Sequence, residues 1–259
     1  MKLITWNVNS VRVRLPRLLA LLARHEPDVV CLQETKVQDE DFPRSEIEAA
    51  QYQVESFGQK AYNGVAILSK KAIKGLELGF EGNPVPEQAR VISAEVAGVR
   101  IVNIYVVNGE EVGTEKFDLK LRWLDALRTW LERKHDPEQP LVMLGDFNIA
   151  PADLDVYDPE KWRGRVLFSE PEHQRLKTLL DWGLIDLLRV RDPVGVHYSW
   201  WDYRHGAFQR NWGLRIDLIL GTQDIAKCCE KVEIDRAERK ATTGEGKPSD
   251  HAPVIALLG

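Results

Sequence analysis

Three observations on the 259-residue sequence predict an α/β fold. Strand-like apolar runs alternate with helical patterns over the whole length, as α/β architectures require. Hydrophobic residues are 44% and charged residues 29%, close to the globular average, which excludes disorder and collagen-like structure. No linker, short repeat or low-complexity tract divides the chain, so one domain over residues 1–259 is expected. A chain of this length should bury roughly 70–75% of the surface its unfolded state exposes, and needs no disulfide or metal merely to fold.

The elements follow in order. A first apolar run ends at Asn7 and Asn9. Leu15, Leu18, Leu19 and Leu22 then fall at helical spacing, with Pro16 near the start and Pro27 past the end. The run Val29–Leu32 leads to Glu34, and Ile101–Val107 carries Tyr105 with Asn108 just beyond it. Phe117, Leu121, Leu124, Leu127 and Leu131 mark a second helix, and Val142–Leu144 runs into Asp146 and Asn148. A capping box from Ser169 to Glu172 opens a third helix that stops near Gly183. Asp217 interrupts a run that continues to Leu220, and Asp250-His251 precedes Ala252-Pro253-Val254-Ile255.

Net charge is −5, from 35 Lys+Arg against 40 Asp+Glu, with no basic tail to coat a polyanion. One stretch is locally basic: Arg189–Arg215 holds five arginines against Asp192 and Asp202, interleaved with Tyr198, Trp200, Trp201, Tyr203, Phe208 and Trp212. Such a pattern suits a phosphate backbone and base or sugar faces, or else a tryptophan-rich loop folded onto the core; both readings stay open. No apolar run approaches the roughly 18 residues that span a bilayer, and the N-terminus turns polar too soon for a secretory signal. Cys31, Cys228 and Cys229 form neither a disulfide framework nor a zinc pattern and suit a reducing compartment. A cytoplasmic protein with no membrane partner is expected.

The chemistry is expected where apolar runs meet polar residues. A carboxylate beside a buried strand is costly unless it is paired or binds a metal. A single Asp at a strand end is usually a turn or cap residue. Here acids, amides, a phenol and an imidazole recur at six such places, and strand ends of α/β sheets commonly converge on one crevice. Acids with amides and one imidazole, without a Cys/His ligand pattern, suit a hard oxygen-ligated ion such as Mg²⁺, with Mn²⁺ as a substitute. Metal-assisted phosphodiester hydrolysis is the matching reaction class. Gly244–Ser249 has the wrong spacing for a phosphate loop and reads as a flexible loop. His25, His135 and His173 read as surface residues, and Cys228-Cys229 as inert packing or exposed thiol.

Nine blocks carry a resemblance. They are Thr5–Arg12, Leu32–Lys36, Asn63–Ile67, Tyr105–Gly109, Leu144–Pro151, Asp155–Pro159, Trp200–Arg204, Gly213–Asp217 and Ser249–Pro253. In this order they closely resemble the exonuclease III branch of the exonuclease III/AP endonuclease family, within the endonuclease–exonuclease–phosphatase superfamily. The resemblance implies a four-layer α/β sandwich of the DNase I-like kind, with two packed mixed sheets flanked by helices. It implies hydrolysis 5′ to abasic sites, 3′-end trimming and 3′→5′ exonuclease action by a monomer on double-stranded DNA with abasic sites or blocked or recessed 3′ ends. A phosphodiesterase of the same superfamily acting on inositol phosphates, sphingomyelin or unspecific DNA is disfavoured by the Trp200–Asp217 and Asp155–Pro159 blocks.

Carried over by position, Glu34 binds Mg²⁺ with help from Asn7 and Asp250, and Asp146, Asn148 and His251 complete the metal set. Asp146 is also the general base, Asn148 orients water and phosphate, and His251, held by Asp217, stabilises charge on the scissile phosphate. Tyr105 and Asn108 complete the phosphate site, and Asn9, Trp200, Arg204, Leu214 and Ile216 contact substrate. This chain departs from many relatives at Val107, where they have proline. It departs from the eukaryotic branch at Glu111, where that branch has arginine, and at Leu214, where it has an aromatic.

Overall fold

The computed structural model describes residues 1–259. Twelve strands run in chain order: β1 (Lys2–Asn7), β2 (Val29–Gln33), β3 (Gln53–Phe57), β4 (Val65–Ser69), β5 (Ile73–Leu78), β6 (Val91–Val96), β7 (Val99–Tyr105), β8 (Leu141–Asp146), β9 (Ile185–Asp186), β10 (Asp217–Gly221), β11 (Cys229–Ile234) and β12 (Val254–Leu258). They form two six-stranded sheets, ordered β11-β12-β1-β2-β4-β3 and β5-β6-β7-β8-β10-β9. Each is mixed, with one parallel pair (β1/β2, β7/β8) among antiparallel neighbours.

The apolar runs read from the sequence are continuous because both faces of these strands are buried. Leu3, Val29, Cys31, Val65 and Ile67 of one sheet pack against Ile92, Ile101, Val142, Leu144 and Ile219 of the other. The alternate residues face outward. Ile4, Trp6, Val30 and Leu32 meet Leu18, Leu21 and Leu22 of the helix Val11–His25. Val102, Ile104, Leu141 and Met143 meet Trp123, Leu127 and Leu131 of Glu115–Lys134, and Leu176 and Leu179 of Glu170–Asp181. The result is helix, sheet, sheet, helix: the expected four layers. Each fully buried side chain of this size contributes about 1.5–3 kcal/mol, so a charge at Val142 or Leu144 would break the inter-sheet layer.

The helices begin where local chemistry allows. The first starts at Val11, earlier than the leucine pattern suggests, and takes Pro16 into its interior. Its initial N–H groups find partners outside the helix: Ser10 N donates to Glu34 O and Val11 N to Thr35 O. Thr114 caps the second helix by accepting from Phe117 N. Ser169 and Glu172 form both halves of the capping box of the third, which ends at Asp181, before Gly183. The strand within Ile101–Val107 stops at Tyr105.

Two surface expectations need correction. His25, His135 and His173 are half-buried: His25 pairs with Asp235, His135 packs edge-on against Trp130, and His173 meets Ala150 O at 2.9 Å. The Arg189–Arg215 stretch is less basic than its composition, because Arg189 and Arg215 both bond Asp155 and Arg215 also bonds Asp186. Its aromatics divide between the two open readings: Trp201 is core, Trp200 and Trp212 are half-buried, and Tyr203 is exposed. The Gly244–Ser249 segment is a loop, and Gly244 O and Gly246 O accept from Arg17. Cys228 is exposed and Cys229 buried, so that pair holds one of each kind.

Candidate active site

Strand ends bring the polar residues together. Register places Tyr105 of β7 beside Asp146 of β8, and Asp146 opposite Asp217 of β10. In the other sheet Asn7 ends β1, Glu34 follows β2, and Asp250-His251 precedes β12. Gly145 makes the Tyr105–Asp146 approach possible, since a Cβ there would lie 1.9 Å from Ile104 O. Glu34 holds a left-handed backbone (φ 53°), as do Asn148 (φ 50°) and Asn9 (φ 45°). Asparagine tolerates that region; for Glu34 it costs on the order of 1 kcal/mol and turns the carboxylate into the crevice between the sheets.

Asn7 links the acids. Its Nδ2 donates to Glu34 Oε1 and to Asp146 Oδ2, each at 2.9 Å, and its Oδ1 accepts from Asn9 N at 3.0 Å. Lys36 Nζ lies 2.8 Å from Glu34 Oε2 and also donates to Asn9 Oδ1. Asn9 Nδ2 donates to Asp250 Oδ1 at 2.9 Å, and Trp200 Nε1 donates to Asp250 Oδ2 at 3.1 Å. Asn148 N donates to Asp146 Oδ1 at 2.9 Å, while Asn108 Nδ2 donates to Asn148 Oδ1 at 2.9 Å. His251 Nδ1 sits 2.9 Å from Asp217 Oδ2, leaving Nε2 directed to Asp146 Oδ2 at 3.9 Å.

Electrostatics separates these acids into roles. Burial drives the Asp146 carboxyl above its ordinary pKa; Asp217 and Glu34 add to this, while His251 and Asn7 oppose it. Burial alone would lower the His251 imidazole, but Asp217, Asp146 and Asp250 outweigh it and hold the ring protonated above its usual range. Glu34 behaves oppositely to Asp146. Burial raises it, yet Lys36, Asn7 and His251 together keep it below the ordinary carboxylate value. Tyr105 is pushed well up by burial and by Glu34 and Asp146, so it remains a neutral hydroxyl donor.

Glu34, Asp146 and His251 each present one ligand atom within 4.8 Å of the others. The carboxylates, amide and phenol around them are hard oxygen donors, which fit a small divalent cation. His251 offers Nε2 alone to this cluster, because its Nδ1 is held by Asp217.

Leu214 and Ile216 are 0% and 2% exposed, and pack with Ala150, Val156, Leu167 and Phe168 under a half-buried Trp200. Trp200 and Leu214 also exchange backbone hydrogen bonds at 2.9 and 3.0 Å. Arg204 is not brought to the cluster; it is exposed and bonded to Asp202 at 2.8 and 3.0 Å.

Several supporting residues were given no role by the sequence. Ser199 is fully buried; its Oγ donates to Asp217 Oδ2 at 2.6 Å and accepts from Asp217 N and Ile216 N. Ser249 Oγ donates to Asn7 O at 2.7 Å and accepts from His251 N. Arg90 stacks on Tyr105, 4.7 Å from the ring centre. Lys120 Nζ, fully buried, donates to Asn148 O at 2.6 Å, to Asn108 O at 3.1 Å and to Glu172.

Comparison with known proteins agrees with this geometry. The model of the endonuclease/exonuclease/phosphatase family matches residues 4–251. Exodeoxyribonuclease III of Haemophilus influenzae is 37% identical over 99% of both chains. The 3′ phosphatase NExo from Neisseria, solved with a product DNA hairpin, is 44% identical with a TM-score of 0.94, covering 100% of this chain and 99% of the other. An AP endonuclease from Archaeoglobus fulgidus is 36% identical with a TM-score of 0.95 at the same coverage. On the family match and these full-length relatives, the chain belongs to the endonuclease/exonuclease/phosphatase family and is a nuclease of the hydrolase class.

Proposed function

We propose that the protein is a Mg²⁺-dependent DNA repair nuclease that cleaves 5′ to abasic sites and trims blocked or recessed 3′ ends of duplex DNA, acting as a monomer in the cytoplasm. The observation that carries this reading is Asp146, buried beside His251 with Glu34 across the crevice. The named relatives act on DNA ends or abasic sites, which supports the substrate class. The grouped ligand atoms of Glu34, Asp146 and His251 all come from one chain, which supports a monomer.

Glu34 and Asp146 would hold the ion, with Asn7 fixing their orientation and Asp250, bonded to Asn9 and Trp200, at the side of the site. When bound, the ion neutralises phosphate charge and makes water easier to deprotonate. Asp146 accepts the proton of the attacking water through the oxygen facing His251. Asn148 holds Asp146 by its backbone N–H, and Asn108 fixes Asn148 in turn. The protonated Nε2 of His251 faces the phosphate and stabilises the charge that develops there, while Asp217 holds the ring by Nδ1. Tyr105 donates its hydroxyl to the same anion. Trp200, with Leu214 and Ile216 behind it, offers an apolar wall to a sugar lacking its base, and a flipped base would find no hydrogen-bond partner on those side chains.

A substrate panel tests the reading: duplexes with one abasic analogue, a recessed 3′ end or a 3′-phosphate, each with Mg²⁺ or chelator. Cleavage of at least one class that stops on chelation is expected. Inertness toward all three in Mg²⁺ overturns it.

A further inference from the structure

A separate cavity of about 910 Å³ adjoins the Pro248 backbone and contains none of the catalytic cluster. Arg14, Arg236, Arg239, Lys240 and Lys247 line it together with Tyr203 and Phe208. The guanidiniums and rings form a stack. The Arg239 guanidinium lies 5.3 Å from the Tyr203 ring centre and 5.0 Å from that of Phe208, and Arg236 lies 4.6 Å from Phe208 and 5.6 Å from Trp201. Contact with the rings holds these cations at the cavity wall, and Arg236, Lys240 and Lys247 add further N–H donors there.

None of the three arginines bonds a carboxylate. Arg14 donates to the Tyr203 hydroxyl and Pro248 O, Arg239 to Ser249 O and Trp201 O, and Arg236 to Phe208 O and Asn211 Oδ1. Arg14 and Arg239 are only 7% and 6% exposed, yet each leaves a buried Nε without a partner. The acid that lines the cavity, Asp202, is held by Arg204 on two oxygens. Carbonyl bonds that fix the Pro248–Ser249 turn account for N–H groups of Arg14 and Arg239, but not for the charge of the two added lysines. Asp250 acts on Arg239 from a distance, but no carboxylate bonds these cations, so an anion in the cavity would supply the bonded counter-charge.

We propose that this cavity is a second, non-catalytic anion site that takes the phosphate of a nucleotide unit, with Tyr203 and Phe208 packing against its sugar or base. Arginine edges match phosphate oxygens in a two-point geometry, aromatic faces accept any base, and the volume falls within the usual range of small-ligand sites. The phosphate comes either from a free mononucleotide or from an unpaired strand. The proposal does not depend on the cleavage chemistry above.

Calorimetric titration of the full chain without divalent metal tests it, using 5′-dAMP, deoxyadenosine and a short single-stranded DNA. Binding of a phosphate-bearing ligand but not of deoxyadenosine is expected. Arg236→Gln combined with Lys247→Gln, both exposed side chains, should weaken that binding by about tenfold or more. Asp146→Asn should leave it intact, and the double variant should keep its cleavage of a simple phosphodiester reporter. A loss confined to the strand identifies strand phosphate as the ligand; a loss for 5′-dAMP as well identifies a free nucleotide. Lys247→Glu alone, with its melting temperature measured, guards against misfolding of the double variant. Absence of binding, equal binding of deoxyadenosine, affinities unchanged in the double variant, or 5′-dAMP binding that vanishes in Asp146→Asn overturns the proposal.

Discussion

His251 and Asp217 form a buried pair at 2.9 Å, and that contact fixes which nitrogen of the imidazole faces Asp146. Asp217 is itself held by Ser199, and turning the ring would break its Nδ1 contact with Asp217. Asp146 and His251 therefore titrate against each other, and cleavage should depend on pH on both sides of neutrality.

The signs follow from the two shifts. Asp146 must lose its proton to act as a base, and its pKa is raised by burial, so activity should climb with pH above the ordinary carboxylate range. His251 must keep its proton, and its carboxylate neighbours raise its pKa, so activity should fall only above the ordinary imidazole range. Added Mg²⁺ favours the Asp146 carboxylate and should move the acid limb to lower pH. Cleavage rates across pH at two Mg²⁺ concentrations check this; an acid limb that does not move with Mg²⁺ contradicts it.

Glu34→Gln removes a charge held in a left-handed backbone beside Asn7 and Lys36. Mg²⁺-stimulated cleavage should be lost while melting temperature is kept. A Mg²⁺ titration of both proteins decides it, and unchanged activity at low Mg²⁺ removes Glu34 from the metal site.

Trp200 has two separable contributions, its ring and its N–H on Asp250. Trp200→Ala should weaken action on an abasic duplex by about 1–3 kcal/mol, the range for aromatic contacts to nucleic acid. Trp200→Phe should recover most of that, and a simple phosphodiester reporter should suffer much less in both. Equal losses on duplex and reporter would assign Trp200 to packing.

Lys120→Met should destabilise the fold by about 3–5 kcal/mol, because it leaves Glu172 buried without its cation and frees the Asn108 and Asn148 carbonyls. The double variant Lys120→Met/Glu172→Gln should regain part of this. Urea unfolding measures both, and additive losses would show that the two groups do not act as a pair.

The three longest helices were legible because each carries a local signal: leucine spacing in the first two, and the Ser169–Glu172 box in the third. The strand-end acids were legible because a carboxylate beside an apolar run needs a reason. Lys120 could have been found. It falls three residues after Phe117 and four before Leu124, on the apolar stripe of its helix, where a lysine must have a buried partner. Ser199 and Ser249 could not be found this way, since a lone serine carries no pattern and its partners Asp217 and Asn7 are set by long-range register. Arg204 and Arg215 illustrate the limit of counting charge: one pairs with a neighbour two residues away, and the other is consumed by Asp155 and Asp186 in the core.

Asp146→Asn, studied under single turnover with DNA affinity measured in parallel, tests the proposed chemistry most directly. Asn7 and Asn148 frame the side chain at 2.9 Å, so the site should persist while the proton acceptor and one negative charge are lost. Turnover should fall by about 10²–10⁴-fold, the usual scale of acid–base catalysis, with DNA binding held or tightened. A variant that loses binding and turnover in parallel, or that turns over at the wild-type rate, would show that Asp146 is not the base.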